Sequence, residues 1–206
     1  MPTVIPRAGP PCQVSADGSE AARVMFPVGE NAVSLAAGSA SIGTLGASEA
    51  HVGEVGSSAD VISVTPAIDT NAYTSGDAVG GKQTLTSAAR VSGGKVLLNS
   101  VVVVDKGNQK KPLTILFFDS DPSAATITNN AAFAFSTDIT KVVGRVNVVA
   151  GDYETVDSKA VACVKAIGLE MKASGSANLY AAVVTTDTPT YTSASDLIFR
   201  YGFAQA

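Results

Sequence analysis

Gly94-Lys-Val-Leu-Leu-Asn-Ser-Val-Val-Val-Val-Asp-Lys106, followed by Leu113-Thr-Ile-Leu-Phe-Phe118, decides the fold. Val96 to Val104 is a nearly unbroken apolar run rich in β-branched residues, and Leu113 to Phe118 adds aromatics, the side chains that fit a pleated surface. Such runs suit strands buried on both faces or in the middle of a sandwich. Lys106, Lys110 and Lys111, the chain's only basic cluster, lie between them with Gly107 and Asn108 and read as a solvated hairpin turn.

Outward from this pair, the β pattern begins at Val61-Ile-Ser-Val64 and passes through a weaker, Gly-broken segment, Ala78 to Leu85. Val142, Gly144, Val146 and Val148 alternate with Val143, Arg145 and Asn147, and further runs occupy Ala160 to Ala166, Gly168 to Ala173, Leu179 to Thr185 and Leu197 to Phe203. In the last run Leu197, Phe199, Tyr201 and Phe203 share one face. Eight or nine short strands, spaced by Gly, Asn, Asp, Ser and Pro turns and lacking long amphipathic helices, predict antiparallel sheets. The expected architecture is all-β, a jelly-roll-like sandwich over residues 59–206. Leu98, Val102, Ile115, Phe117, Val146 and Val183 are expected in its core. One short helix is expected at Ser136-Thr-Asp-Ile-Thr-Lys141, capped by Ser136 or Thr137.

Residues 1–58 have a different character. Proline at 2, 6, 10, 11 and 27 forbids a long helix in the leader. From Val28 to Ser58, 18 of 31 residues are Gly, Ala or Ser, the composition of a linker. Val33, Leu35, Ile42, Leu45, Val52 and Val55 punctuate it without a sustained period, and a pure spacer needs no such residues. This segment reads as an extended arm ordered by what it lies against, because it has too little apolar surface to offset the entropy of folding alone. Val24, Phe26, Val33, Leu35, Ile42 and Leu45 are its candidate assembly contacts.

Composition narrows the partners. Apolar residues make up 46% of the 206, ample for a core, while charged residues are 16% against about 25% in ordinary soluble domains. A surface of Ser, Thr, Ala and Gly suits coverage by neighbours. A net charge of −4 argues against nucleic acid, whose phosphates require a basic field. No run reaches the roughly eighteen apolar residues of a membrane span, and the Pro-rich start has no apolar segment of the signal-peptide kind, so synthesis in the cytoplasm is expected. Cys12 and Cys163 are expected as free thiols, Cys163 as a small core residue.

The residues name no reaction. His51 is the only histidine, which disfavours a Ser-His-Asp triad and a multi-histidine metal site. Gly76-Asp-Ala-Val-Gly-Gly-Lys82 fits a phosphate-binding loop up to Gln83, which stands where Ser or Thr would hold magnesium, and a Gly-rich turn or bulge is the better reading. Ser92-Gly-Gly-Lys95 has the spacing of an acyl-enzyme pair, but its two glycines oppose the helix that chemistry uses. Asp119 and Asp121 open a loop resembling a calcium site that lacks the remaining ligands, and an Asx-turn is expected instead. Most of the five tyrosines, with no Trp, are expected at strand edges or interfaces. No catalytic, cofactor-binding or metal-binding residue is assigned.

Val-Ile-Ser-Val-Thr-Pro-Ala-Ile-Asp-Thr-Asn-Ala-Tyr-Thr-Ser-Gly-Asp-Ala-Val-Gly-Gly, residues 61–81, resembles a segment of small structural proteins of tailed bacteriophages. There a strand, an acidic turn, a Tyr-x-x-Gly-Asp-x-Val-Gly-Gly run and a second strand recur. Gly94 to Lys106, Leu113 to Asp121 and Asp187 to Leu197 resemble the same group, so the likeness covers roughly residues 52–206. The resemblance implies a non-enzymatic virion protein on the capsid exterior, as a decoration, cement or head-fibre protein. Its partners would be the major capsid protein and further copies of itself, with a homotrimer the expected unit. The alternative is a tail or fibre protein that binds a host-surface receptor.

Overall fold

The computed structural model describes residues 58–205. Their strands are β1 (Ser58–Val64), β2 (Gln83–Leu85), β3 (Lys95–Asp105), β4 (Leu113–Phe118), β5 (Val142–Val148), β6 (Tyr153–Val156), β7 (Lys159–Val164), β8 (Leu169–Lys172), β9 (Leu179–Thr185) and β10 (Leu197–Gln205). They form two antiparallel sheets, one ordered β1-β10-β3-β7-β6 with β8 also on β3, the other β2-β9-β4-β5. Among the described residues helix is confined to 3₁₀ turns at Ser136–Lys141 and Ala150–Asp152. The all-β, antiparallel expectation is met, with β6 an addition that its single buried residue, Tyr153, hid from a periodicity reading.

β3 organises the first sheet. β10 runs along one of its edges, while β8 takes Lys95 to Leu98 and β7 takes Val101 to Asp105 on the other. With both edges occupied, β3 cannot pair with β4. The chain from Lys106 to Pro112 is therefore a crossing between sheets and not the expected hairpin. A polar turn between two apolar runs looks the same locally in either case. Asn108 and Lys110 turn this crossing with φ of 53° each, and Lys110 N donates to Asp105 Oδ2 at 2.8 Å.

Side chains of both sheets meet in one core: Leu98, Val101 and Val103 of β3, Phe199 and Tyr201 of β10, Leu113, Ile115 and Phe117 of β4, Leu179 and Val183 of β9. The Phe117 and Tyr201 rings join the sheets edge to face, with centroids 5.7 Å apart. Each such fully buried side chain contributes about 1.5–3 kcal/mol. Five of the six core residues expected from the sequence are buried, and Val102 is not. It is half-buried on the outer face, because Gly202 stands opposite Ser100 while Phe203 stands opposite Leu98, leaving Asn99 as an extra residue in β3. One extra residue reverses the inside-outside phase. Leu98 therefore faces the core together with Val101 and Val103 rather than with Val102.

β4 is buried on both faces, as its sequence implied. Leu116 and Phe118 point away from the main core into a second cluster with Ala182, covered by Ile127, Phe133 and Phe135 from the segment between β4 and the first 3₁₀ turn. Three further expectations are corrected. Tyr73, Tyr153, Tyr191 and Tyr201 are buried rather than at edges or interfaces, their rings filling core volume. Cys163 is exposed, because in β7 it alternates with Ala160 and Ala162, which take the inward positions. The turn at Ser136–Lys141 is 3₁₀ with Phe135 at its N-cap and no side-chain cap hydrogen bond, since neither Ser136 nor Thr137 lies at the N-cap position.

Candidate functional site

Residues 65–81, which follow β1, fold into a self-locking loop. Asp69 Oδ1 accepts from Asn71 N at 3.0 Å and from Asn71 Nδ2 at 2.9 Å, an Asx-turn, and Oδ2 accepts from Asn130 Nδ2 at 3.1 Å. These bonds, the backbone N–H of Asn71 foremost and the Asn130 amide next, hold the Asp69 carboxyl below its ordinary range. The Tyr73 hydroxyl accepts from Asp69 N and donates to Asn129 Oδ1, both at 2.7 Å. Asn129 Oδ1 also accepts from Gly80 N at 2.8 Å. Asp77 Oδ2 accepts from Thr74 N at 2.7 Å. The motif's polar groups are spent on backbone and on the 129–130 loop, so its chemistry is that of a turn. Gly80 is required there: φ is +77°, and a Cβ would lie 2.3 Å from Pro66 Cβ.

The loop that resembled a phosphate site continues into β2 and not into a helix. Lys82 Nζ lies 2.6 Å from Asp121 Oδ1 and 5.7 Å from the centre of the Tyr180 ring. That ion pair engages both the lysine of the phosphate-loop pattern and one carboxylate of the calcium-like loop. Asp119 Oδ1 accepts from Ser120 Oγ at 2.7 Å. Gly93, in the acyl-enzyme-like spacing, turns with φ of +72°, and Lys95 opens β3.

A second polar cluster closes the crossing at Lys106 to Pro112. Asp196 Oδ2 accepts from Thr192 N, Thr192 Oγ1 and Ser193 N at 2.9, 3.0 and 2.9 Å. Asp105, 1% exposed, uses Oδ2 for Lys110 N, while its Oδ1 is buried with no hydrogen-bond partner. Burial first, and the nearby Asp196 charge as a smaller cause, raise the Asp105 carboxyl above its ordinary range, against the lowering by backbone N–H donors. Burial likewise raises the Tyr153 and Tyr191 phenols, with the charge of Asp105 next in importance. Among the described residues, no group of three or more His, Cys, Asp or Glu is placed to hold a metal ion.

A third feature is an open apolar groove where β3 begins, β10 finishes and β8 crosses. Its volume is about 570 Å³, and its lining includes Val96, Leu97, Val143, Met171, Lys95 and Lys172. Sequence reading missed it, because the groove exists only once β8 is laid against β3, and nothing in either strand alone signals that pairing.

The six residues assigned to assembly, Val24, Phe26, Val33, Leu35, Ile42 and Leu45, lie outside the described residues, as do Cys12 and His51. No family model matches the chain, and no curated protein matches it in sequence.

Proposed function

We propose that the chain is a non-enzymatic structural protein of a bacteriophage virion, which decorates or cements the capsid through an N-terminal arm and a jelly-roll β-sandwich. The observation that carries this reading is the strand order. The paths β1-β10-β3-β7, which β6 and β8 extend to a six-stranded sheet, and β2-β9-β4-β5 enclose one core. Pairing of β1 with β10, β2 with β9, β3 with β7 and β4 with β5 is the order obtained by rolling up one long antiparallel hairpin. Jelly rolls of eight strands, built from two Greek keys, recur in viral capsid proteins, and also in lectins and cupins, so the step from fold to virion is one of analogy.

Two further observations support the reading. Residues 61–81 resemble phage structural proteins, and their polar groups serve turns, as a building block requires. Charged residues are only 16% of the chain, which favours coverage by neighbouring subunits. The partners are the major capsid protein and other copies of the chain, as a homotrimer on the capsid exterior, with synthesis in the host cytoplasm. Contacts along an arm are individually weak and sum over area and copy number.

The test is to mix undecorated capsids with the full-length protein or a truncated protein beginning at Ser58, and to measure what sediments with the particles. The full-length protein should bind, and the folded truncation should bind at least tenfold more weakly. Equal binding would move attachment to the β-domain. Absence of binding by both would favour the tail or fibre reading, with a host-surface receptor as the partner.

A further inference from the structure

The two sheets differ on their outer faces. The second sheet turns Leu116, Phe118 and Ala182 outward, and the segment after β4 covers them with Ile127, Phe133 and Phe135. On the first sheet the outward positions follow from the ladder, because residues paired across antiparallel strands point to the same side. One row runs Arg200, Val102, Cys163, and the next runs Ile198, Val104, Val161, Glu154. Their chain neighbours Phe199, Tyr201, Val101, Val103, Ala162 and Tyr153 are buried in the core, which puts both rows on the side away from it. Val102, Val104, Val161 and Ile198 are half-buried there and belong to neither apolar cluster of the described residues, while Cys163 is exposed. On the same side Val61 of β1 stands opposite Gly202 and is 61% exposed. Arg200 and Glu154 are the charges of the two rows, on opposite sides of the Val102, Val104, Val161 and Cys163 quartet. Three strand spacings, about 14 Å, keep them from pairing within one chain, and among the described residues no ion pair engages either.

We propose that this face is a contact between two copies of the chain, packed face to face about a twofold axis over the quartet. A twofold contact needs a surface complementary to itself. An axis in the plane of the contact that exchanges the Arg200 and Glu154 positions sets each arginine over the glutamate of the other copy, giving two charge-assisted pairs around a shared apolar centre. A partner of one charge sign would leave one of these two charges unmatched. The midpoint of the two positions falls between β3 and β7 and between the two rows, so the Cys163 residues of the two copies lie near each other across the axis. Antiparallel sheets pack on one another in this way, about 10 Å apart. Five strands about 4.8 Å apart, and the seven residues from Ile198 to Ala204 at about 3.4 Å each, make a face of roughly 24 by 24 Å; two copies would cover about 1,100 Å², just above the roughly 1,000 Å² of a specific interface. The inference is independent of the virion reading, in which this contact would join one trimer to the next.

The test uses the full-length protein in solution without capsids, so its outcome is separate from that of the virion reading. By sedimentation velocity at about 100 µM, above the micromolar Kd expected of a contact this size, the wild type should have twice the mass of the Arg200→Glu protein and of the Glu154→Arg protein. Each single variant sets like charges against each other and should weaken association at least about tenfold. Arg200→Glu/Glu154→Arg keeps both pairs with their signs exchanged and should restore the wild-type mass, with circular dichroism showing the fold intact throughout. In the Cys12→Ser protein Cys163 is the one remaining thiol, and a bismaleimide reaching about 10 Å, the spacing of packed sheets, should link two chains through it. Equal masses for the wild type and the single variants, a folded double variant that stays dissociated, or the absence of the Cys163 crosslink overturns the proposal. So does Cys163 shielded from maleimide in a wild type of the lower mass, which would assign the face to residues 1–57 of the same chain.

Discussion

The Tyr201 hydroxyl donates a 2.8 Å hydrogen bond to Gln83 Oε1, joining β10 of the first sheet to β2 of the second across 118 positions of sequence. Both residues are buried, and Gln83 Nε2 has no hydrogen-bond partner. The core therefore carries one polar contact that is only partly satisfied. Tyr201→Phe is expected to cost about 1–3 kcal/mol, because it leaves the whole Gln83 amide buried and unpaired. The double variant Tyr201→Phe/Gln83→Met should be more stable than Tyr201→Phe alone. Urea unfolding followed by circular dichroism checks this, and additive losses would contradict it.

Gly76 and Gly80 separate backbone strain from crowding. Both have positive φ, but nothing lies within 4 Å of a Cβ built on Gly76, whereas one on Gly80 meets Pro66 at 2.3 Å. Gly76→Ala is expected to cost roughly 1–2 kcal/mol from conformation alone, and Gly80→Ala roughly 1–3 kcal/mol more from the clash. Equal losses in denaturant unfolding would show that Pro66 gives way freely.

Asp138 ties the covering segment to the 3₁₀ turn. Lys141 Nζ lies 2.8 Å from Oδ1, and Oδ2 accepts from Ala124 N and Ala125 N at 2.6 and 2.8 Å. The Lys141 hydrogen bond first, then these N–H donors, hold the carboxyl below its ordinary value against the effect of burial. A lowered folded-state pKa means that this stability is present above about pH 4, the ordinary aspartate value, and is lost as pH falls through the folded value. The gap in urea midpoint between wild type and Asp138→Asn should therefore narrow as the pH drops from 6 toward 2 or 3, roughly the span over which native carboxylates protonate. A constant gap would show that charge plays no part.

Asp105 has the opposite sign. Its folded-state pKa is raised, chiefly by burial, so its ionisation costs stability as the pH rises above the ordinary aspartate value. Asp105→Asn removes that charge while its amide oxygen can still accept from Lys110 N. The variant should gain stability relative to wild type between about pH 4 and pH 7, with no such gain below about pH 4. Thermal unfolding at several pH values checks the trend, and a difference that does not change with pH would contradict it.

The existence of strands was legible because alternation is local. Leu197, Phe199, Tyr201 and Phe203 announce one buried face, and all four are in the core. Partnership was not legible in the same way, since the pattern from Lys106 to Pro112 suits a hairpin and a sheet crossing equally. Phase failed at Val102 because a bulge intervened: Asn99 carries no signal that would mark it as the extra residue, yet it turns Val102 outward. The groove was invisible for a related reason, as Lys95 and Lys172 are 77 positions apart and become neighbours only through the β3–β8 ladder. The Gly-rich turn expected at Gly76 to Lys82 is present, with Gly76, Gly80 and Gly81 at positive φ, because backbone conformation there is set within a few positions.

The place of β10 between β1 and β3 has a consequence for biosynthesis. β10 comes last in chain order among the described strands, so β1 and the β10-facing edge of β3 lack their partner until it has been made. Closure of this sheet therefore waits on a long-range pairing rather than on local turns, which slows it. Until then the Val-rich β3 keeps an open edge toward any other chain nearby, a surface prone to wrong pairing.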